Sequence, residues 1–303
     1  MQKSYINSLY NLIENDKNVI SCLSDSGTDY DEMIAREFPN QVINFGISEN
    51  NKVAAAAGMA SFSKIPFVYT TGAFLAYRSF EFIRDDVCLQ NKNVKFVGMG
   101  CGLSWSTLGP THHSTEDLGV LKTLPNLTIF SPASPLELKK CVFEAYKIKG
   151  PVYIRIGMSN EKEIYSNEDF NIYDNNVIKE GNNGIVFVTG SIISDVLEAV
   201  KELSNENINL TVINVCTIKP LNEKSILNLI NKFSKVFVVE EHNVIGGLGS
   251  SISDIIATND INCKLIKIGL NDCFGEGYGT HEEVKKANNL DSKSIYKKIK
   301  ENL

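Results

Sequence analysis

No CxxC pair occurs among the seven cysteines, which stand singly at positions 22, 88, 101, 141, 216, 263 and 273. That excludes zinc ribbons and dithiol redox motifs, and an odd count behind no signal peptide points to reduced thiols in a cytosol. Long apolar runs are missing too. None approaches the roughly 20 residues that a membrane helix needs. The opening Met1-Gln2-Lys3-Ser4-Tyr5 has no apolar core behind a basic start. Nor is there an excess of basic charge. The 30 Lys and Arg against 36 Asp and Glu leave a net charge of −6. Basic residues are scattered, apart from a Lys-rich C-terminal tail, so nucleic-acid binding has little support. No repeat of solenoid period occurs. These absences predict a soluble, cytoplasmic protein with no membrane and no nucleic-acid partner.

What is present is a regular alternation. At 303 residues with 43% apolar content, the chain is long enough for two domains with cores of their own. Short apolar runs at 19–23, 42–45, 65–70, 94–99, 127–130 and 152–156 read as buried strands. Between them, helical spacing covers 4–15, 29–37, 50–62, 75–90, 115–123 and 135–147. Residues 160–182 break this rhythm with Asn, Asp, Glu and Tyr. A second alternation follows, with strands at 184–188, 210–215, 235–239 and 264–268. Its helices fall at 192–203, 222–231, 246–257 and 292–301. The expected fold is α/β, two doubly wound domains with mostly parallel sheets. The expected boundaries are a first domain over 1–160, a linker over 161–182 and a smaller second domain over 183–303.

Ligands of open α/β sheets bind beyond the C-terminal ends of the strands. The unusual residues of the first domain fall there, at 25–28, 46–49, 71–74 and 100–113. Glu49 lies between an apolar strand and an alanine-rich helix, and is either a helix-start acid or a catalytic group. Phe74, Tyr77 and Phe80, three residues apart, are either core packing or a platform for a flat heteroaromatic ring. His112 and His113 sit on a Gly/Pro loop. Adjacent side chains diverge, which disfavours a shared metal. A polar or proton-shuttling role and a plain capping segment both remain open. Arg155, leaving a strand end, reads as ion-paired or as an anion site. The glycines at 246, 247 and 249 make no full GxGxxG. Glu240-Glu241-His242 reads as a hinge or interface element.

Taken together, these segments resemble a family. Phe45-Gly46-Ile47-Ser48-Glu49-Asn50-Asn51, before an alanine-rich helix, resembles the GI(A/S)EQN segment of transketolases. Gly109-Pro110-Thr111-His112, Glu116-Asp117-Leu118, Leu124-Pro125-Asn126-Leu127-Thr128 and Gly150-Pro151-Val152-Tyr153-Ile154-Arg155 follow in family order. Glu240-Glu241-His242-Asn243 with Gly246-Gly247-Leu248-Gly249, and Asp272-Cys273-Phe274-Gly275, resemble the family's C-terminal domain. The likeness spans essentially the whole chain. It implies a thiamine-pyrimidine-binding domain followed by a transketolase C-terminal domain. No Gly-Asp-Gly occurs, the segment with which the family holds Mg²⁺ and the diphosphate of thiamine diphosphate. The resemblance therefore implies the C-terminal subunit of a split transketolase. It would be active only with an N-terminal partner subunit that holds most of the diphosphate and metal, in an α2β2 assembly.

By the same resemblance Glu49 and His112 are catalytic. Glu49 bonds N1′ of the aminopyrimidine, with Tyr77 stacked on that ring and Phe74 and Phe80 alongside. His112, His113 and Arg155 contact substrate, and no metal ligand is expected on this chain. The implied activity transfers a two-carbon ketol unit from a ketose-type donor to an aldehyde. Leu108 stands where the family has an Asp that contacts a donor hydroxyl, and Met158 where it often has a phosphate-binding Arg. Both departures predict a non-standard substrate. The alternatives are an enzyme like deoxyxylulose-phosphate synthase, a subunit like the β chain of a 2-oxo-acid dehydrogenase, and a non-catalytic regulatory subunit. The His112 motif argues against the dehydrogenase, and Glu49 against the regulatory subunit.

Overall fold

The computed structural model describes residues 1–24, 29–158 and 161–303. The first domain runs α1 (Gln2–Asn15), β1 (Val19–Leu23), α2 (Asp29–Glu37), β2 (Val42–Asn44), α3 (Glu49–Ser61) and β3 (Ile65–Thr71). After β3 come two π-helical segments, Phe74–Arg78 and Ile83–Cys88, on either side of the single turn α4 (Phe80–Phe82). Then follow β4 (Lys95–Met99), α5 (Asp117–Leu121), β5 (Thr128–Phe130), α6 (Pro135–Lys147) and β6 (Val152–Ile156). The helix α6 shows why the local sequence suffices there. Ser134 caps it by accepting from the Glu137 N–H, Pro135 opens it, and Lys147 sits at its negative end.

The second domain runs β7 (Asn175–Lys179), β8 (Gly184–Thr189), α7 (Ile193–Ser204), β9 (Leu210–Val215), β10 (Thr217–Lys219) and α8 (Glu223–Ile230). It ends with β11 (Lys235–Asn243), α9 (Leu248–Thr258), β12 (Lys264–Leu270), α10 (His281–Ala287) and α11 (Ser292–Lys300).

Among the described residues the first sheet has the order β10-β5-β6-β4-β3-β1-β2 and the second β12-β11-β8-β9-β7. Both are parallel except at one edge each, where β10 runs antiparallel to β5 and β7 antiparallel to β9. The expected two-domain α/β fold is therefore the observed one. In the first sheet the chain passes from β1 to β2 on one side and to β3 on the other. That reversal opens a crevice at the strand ends, where such sheets bind ligands.

Three features differ from expectation. The segment expected as a linker contains β7, and its remainder is pinned to α6. The Tyr165 hydroxyl donates to Glu137, and Lys140 lies over the Phe170 ring. Such side-chain tethers leave no periodic pattern. The short β10 leaves the second domain and completes the first sheet, pairing Thr217 with Phe130. The helix expected at 75–90 is largely π-helical.

One apolar cluster joins Val68, Phe96 and Leu118 of the first domain to Phe187, Val238 and Leu248 of the second. The two units share a buried boundary rather than hanging on a tether. Among the described residues, no helix is long and apolar enough to cross a membrane.

Candidate active site at the ends of the first sheet

The turn after β2 aims Glu49. Gly46 adopts φ +63°, a left-handed conformation that favours glycine, and the Asn44 side chain accepts from its N–H at 2.8 Å. The chain then enters α3 with Glu49 in the first turn. Glu49 is thus a helix-start acid, but it is not a solvated one. The residue is 2% exposed, and its Oε2 accepts from Arg78 Nη1 at 2.6 Å.

Arg78 comes from the first π-helical segment. The wider turn brings its guanidinium back over its own helix, with Cζ 4.4 Å from the centre of the Phe74 ring. The other side of this aromatic group belongs to His112. Phe74 and His112 rings meet edge-on at 4.9 Å, and Trp105 meets His112 at 6.3 Å. Glu49, Arg78, Phe74 and His112 therefore form one continuous cluster, drawn from the loops after β2, β3 and β4.

The His112 loop is closed at its base and tied at its tip. Gly102 and Ser114 exchange backbone hydrogen bonds at 2.9 Å. Within it, the Gly109 carbonyl accepts from both His112 and His113 N–H groups, at 2.9 and 3.2 Å. Gly109 has φ +74°, and a Cβ there would lie 2.4 Å from the Tyr278 ring. The second domain thus lays an aromatic ring directly on this turn. His112 Nδ1 lies 2.9 Å from Thr111 Oγ1. Partial burial lowers its pKa, and the Arg78 charge adds to that.

The remaining expected residues lie elsewhere. Tyr77 is 39% exposed and its hydroxyl is fixed to Glu116. It donates to Oε2 at 2.7 Å and accepts from the backbone N–H at 2.9 Å. Desolvation of that hydroxyl, with Asp117 and Glu116 near it, raises its pKa. Phe74, rather than Tyr77, is the ring stacked beside the Glu49 pair. Phe80 packs against the apolar core. The loop segment 25–28 lies outside the described residues.

His113 and Arg155, expected to touch substrate, face the other way. His113 is 3% exposed, and Gly275 of the second domain is so close that a Cβ there would lie 2.8 Å from His113 Nδ1. Burial lowers the His113 pKa. Arg155, 5% exposed, donates from Nε to Asp117 at 2.9 Å and from Nη2 to the carbonyls of Ser114 and Glu241. These contacts hold the domain boundary, and they commit both groups to structure because each leaves the sheet toward the second domain. Met158 packs against the apolar cluster around Phe67 and Ile154, whereas Leu108 is 45% exposed on the His112 loop.

Two residues went unnoticed in the sequence. Arg78 carried a signal, a cation four residues after Phe74 on an aromatic helix. Lys52, three residues after Glu49, is fully buried and donates to Ser24 Oγ and, at 3.1 Å, to the Tyr69 carbonyl. Burial pushes its pKa down to about 8, against an opposing effect of the Glu49 charge.

An aminopyrimidine presents a flat face and a ring nitrogen that bonds a carboxylate. The donor set fits that group. A planar nitrogen-bearing cation already bonds Glu49 while stacked on Phe74.

Comparison with known proteins agrees with this arrangement. Residues 1–162 match the transketolase pyrimidine binding domain and residues 174–295 the transketolase C-terminal domain. A transketolase C-terminal section from Methanocaldococcus jannaschii is 34% identical, over 100% of this chain and 96% of its own length. One of the two subunits of an apulose-4-phosphate transketolase from Actinobacillus succinogenes is 34% identical, over 86% of this chain and 84% of its own. A solved split-gene transketolase, an inactive beta4 tetramer, superposes with a TM-score of 0.90 at 31% identity, covering 100% of this chain and 97% of that one. The chain belongs to the transketolase family, of which it carries the pyrimidine-binding and C-terminal domains.

Proposed function

We propose that this chain is the C-terminal subunit of a split, thiamine-diphosphate-dependent transferase that moves a two-carbon ketol unit from a ketose-type donor to an aldehyde. The observation that carries the reading is the Glu49 cluster. A carboxylate at 2% exposure, a stacked aromatic ring and a loop histidine meet at the strand ends of a transketolase-family domain. Thiamine diphosphate, when bound, supplies a carbon acid whose conjugate base attacks the ketose carbonyl and stabilises the two-carbon carbanion. Glu49 would hold a proton at N1′ of the aminopyrimidine, and Phe74 would support the ring face. His112, whose lowered pKa favours the neutral imidazole, would accept from or donate to a substrate hydroxyl.

The diphosphate and Mg²⁺ would be held by a partner subunit, in an α2β2 assembly. The split-subunit character of two similar proteins supports that reading. Leu108 and Met158 point to a donor or acceptor other than the ordinary pentose phosphates. A relative named for apulose 4-phosphate is in keeping with such divergence.

The test is co-expression with a neighbouring-gene chain that carries a Gly-Asp-Gly segment, loading with thiamine diphosphate and Mg²⁺, and assay against a panel of ketoses and aldehydes. Glu49→Ala should assemble normally and turn over at least about a hundredfold more slowly, the scale of a lost proton-transfer group. Normal turnover by Glu49→Ala would defeat the proposal. A marked preference for ordinary pentose phosphates would defeat the substrate part alone.

A further inference from the structure

We propose that Arg78 is a placeholder for the aminopyrimidine ring, occupying both the Glu49 carboxylate and the Phe74 ring face and withdrawing when the cofactor binds. The inference rests on the reading of Glu49 and Phe74 given above, and concerns a residue that reading does not use. Three observations carry it.

First, a carboxylate buried to 2% exposure without a donor would be costly, and Arg78 Nη1 supplies the donor at 2.6 Å. Second, the same guanidinium lies 4.4 Å over Phe74, so one flat group makes both contacts expected of a flat heteroaromatic ligand. Third, the two ends of the pair differ. The Glu49 side chain is 3% exposed and that of Arg78 is 46% exposed. The carboxylate is held in place, while the arginine reaches it from the solvent side on a flexible stem and can retreat without unpacking anything. The ligand and Arg78 cannot both hold the Glu49 oxygen and the Phe74 face, so the two compete. Apparent affinity then falls in proportion to the fraction of molecules in which Arg78 has withdrawn.

Thiamine binding to the full chain, followed by titration calorimetry, tests this. Arg78→Ala should bind thiamine about tenfold more tightly than the wild type, the gain expected if the open arrangement is about a tenth of the population. Arg78→Gln, which keeps the stem, should behave alike. Arg78→Lys should bind with intermediate affinity, since it keeps the charge but not the planar stack. Free guanidinium ion at low-millimolar concentration should compete with thiamine in Arg78→Ala and restore wild-type weakness. Equal or weaker binding by Arg78→Ala and Arg78→Gln, including no detectable binding, would overturn the inference. So would Arg78→Lys matching the wild type with no guanidinium competition, which would reduce Arg78 to a repelling charge. If thiamine binds all Arg78 variants equally but is lost in Glu49→Ala, the placeholder role fails while the proposed function stands.

Discussion

Asp117 and Arg155 form an ion pair, Oδ2 to Nε at 2.9 Å, with side-chain exposures of 0 and 5%. The Arg155 Nη2 group also donates to Ser114 O at 3.1 Å in the first domain and to Glu241 O at 3.0 Å in the second. Tyr153 adds its hydroxyl to Asp117 at 2.8 Å. Removing one member strands a buried charge. Asp117→Ala and Arg155→Met should each lower unfolding free energy by about 3–5 kcal/mol. Urea denaturation measures this, and a loss under about 1 kcal/mol would show that the pair does not brace the boundary.

The Gly109 turn makes a second, separable prediction. Its φ of +74° and the Tyr278 ring 2.4 Å from a would-be Cβ act together. Gly109→Ala should cost more stability than Gly46→Ala, because Gly46 has a similar φ of +63° and nothing within 4 Å of its Cβ position. The backbone share, about 1–2 kcal/mol, is common to both. Tyr278→Ala in the Gly109→Ala background should recover the excess but not the backbone share. Thermal melts of the three variants decide it.

The His281–Glu241 pair, 2.7 Å apart, predicts a pH dependence. Burial alone would lower the His281 pKa, but the Glu241 charge outweighs it and the net shift is upward from 6.5. Burial alone would raise Glu241, and the His281 charge outweighs that, so its net shift is downward from 4.5. Lys285 and Asp195 also face His281, with opposite effects. The His281 contribution is fully present below its unfolded value of about 6.5 and is lost as pH rises through the higher folded value. The Glu241 contribution is present above about 4.5 and is lost as pH falls through the lower folded value. The stability difference between wild type and His281→Gln should therefore peak between about pH 4.5 and 6.5, at about 1.5–3 kcal/mol, and shrink at alkaline pH. His113, with its lowered pKa, is common to both proteins and cancels in the difference. A difference that does not change with pH would contradict the pairing.

Lys95 predicts the opposite slope. It is fully buried, bonded to the carbonyls of Ile148 at 2.6 Å and Gly150 at 2.7 Å, and burial pushes its pKa down to about 7. Between about pH 7 and the ordinary lysine value the unfolded chain binds the extra proton, so stability rises with pH in that window. Lys95→Met should flatten the rise by up to about 1.4 kcal/mol per pH unit. Equilibrium denaturation at pH 7, 8 and 9 measures it, and an unchanged slope would show that Lys95 is not the titrating group.

Much of the fold was legible because strand and helix periodicities are local. The helix α6, with its Ser134 cap and Pro135, and the strand β6 fall where the residues alone put them. The strand β7 was hidden because an edge strand of Asn175, Asn176 and Lys179 has little apolar pattern. The strand β10, three residues long, exists only because Phe130 and Ile129 of the first domain offer it a partner. The π-helical register from Phe74 is likewise invisible to a 3.6-residue periodicity.

The candidate site divides along the same line. The sequence alone determined that Glu49 opens an alanine-rich helix after a strand, that His112 lies on a Gly/Pro loop, and that the chain alternates in two α/β blocks. These follow from nearest-neighbour chemistry. Only the tertiary structure decided which way each side chain faces. Adjacent His112 and His113 part, one to Phe74 and the other to Gly275. Arg155 turns to Asp117, and Arg78 comes to the Glu49 carboxylate from 29 residues away. Those choices depend on burial and on the charge partners that packing supplies, and a buried carboxylate requires a partner that its own segment does not contain.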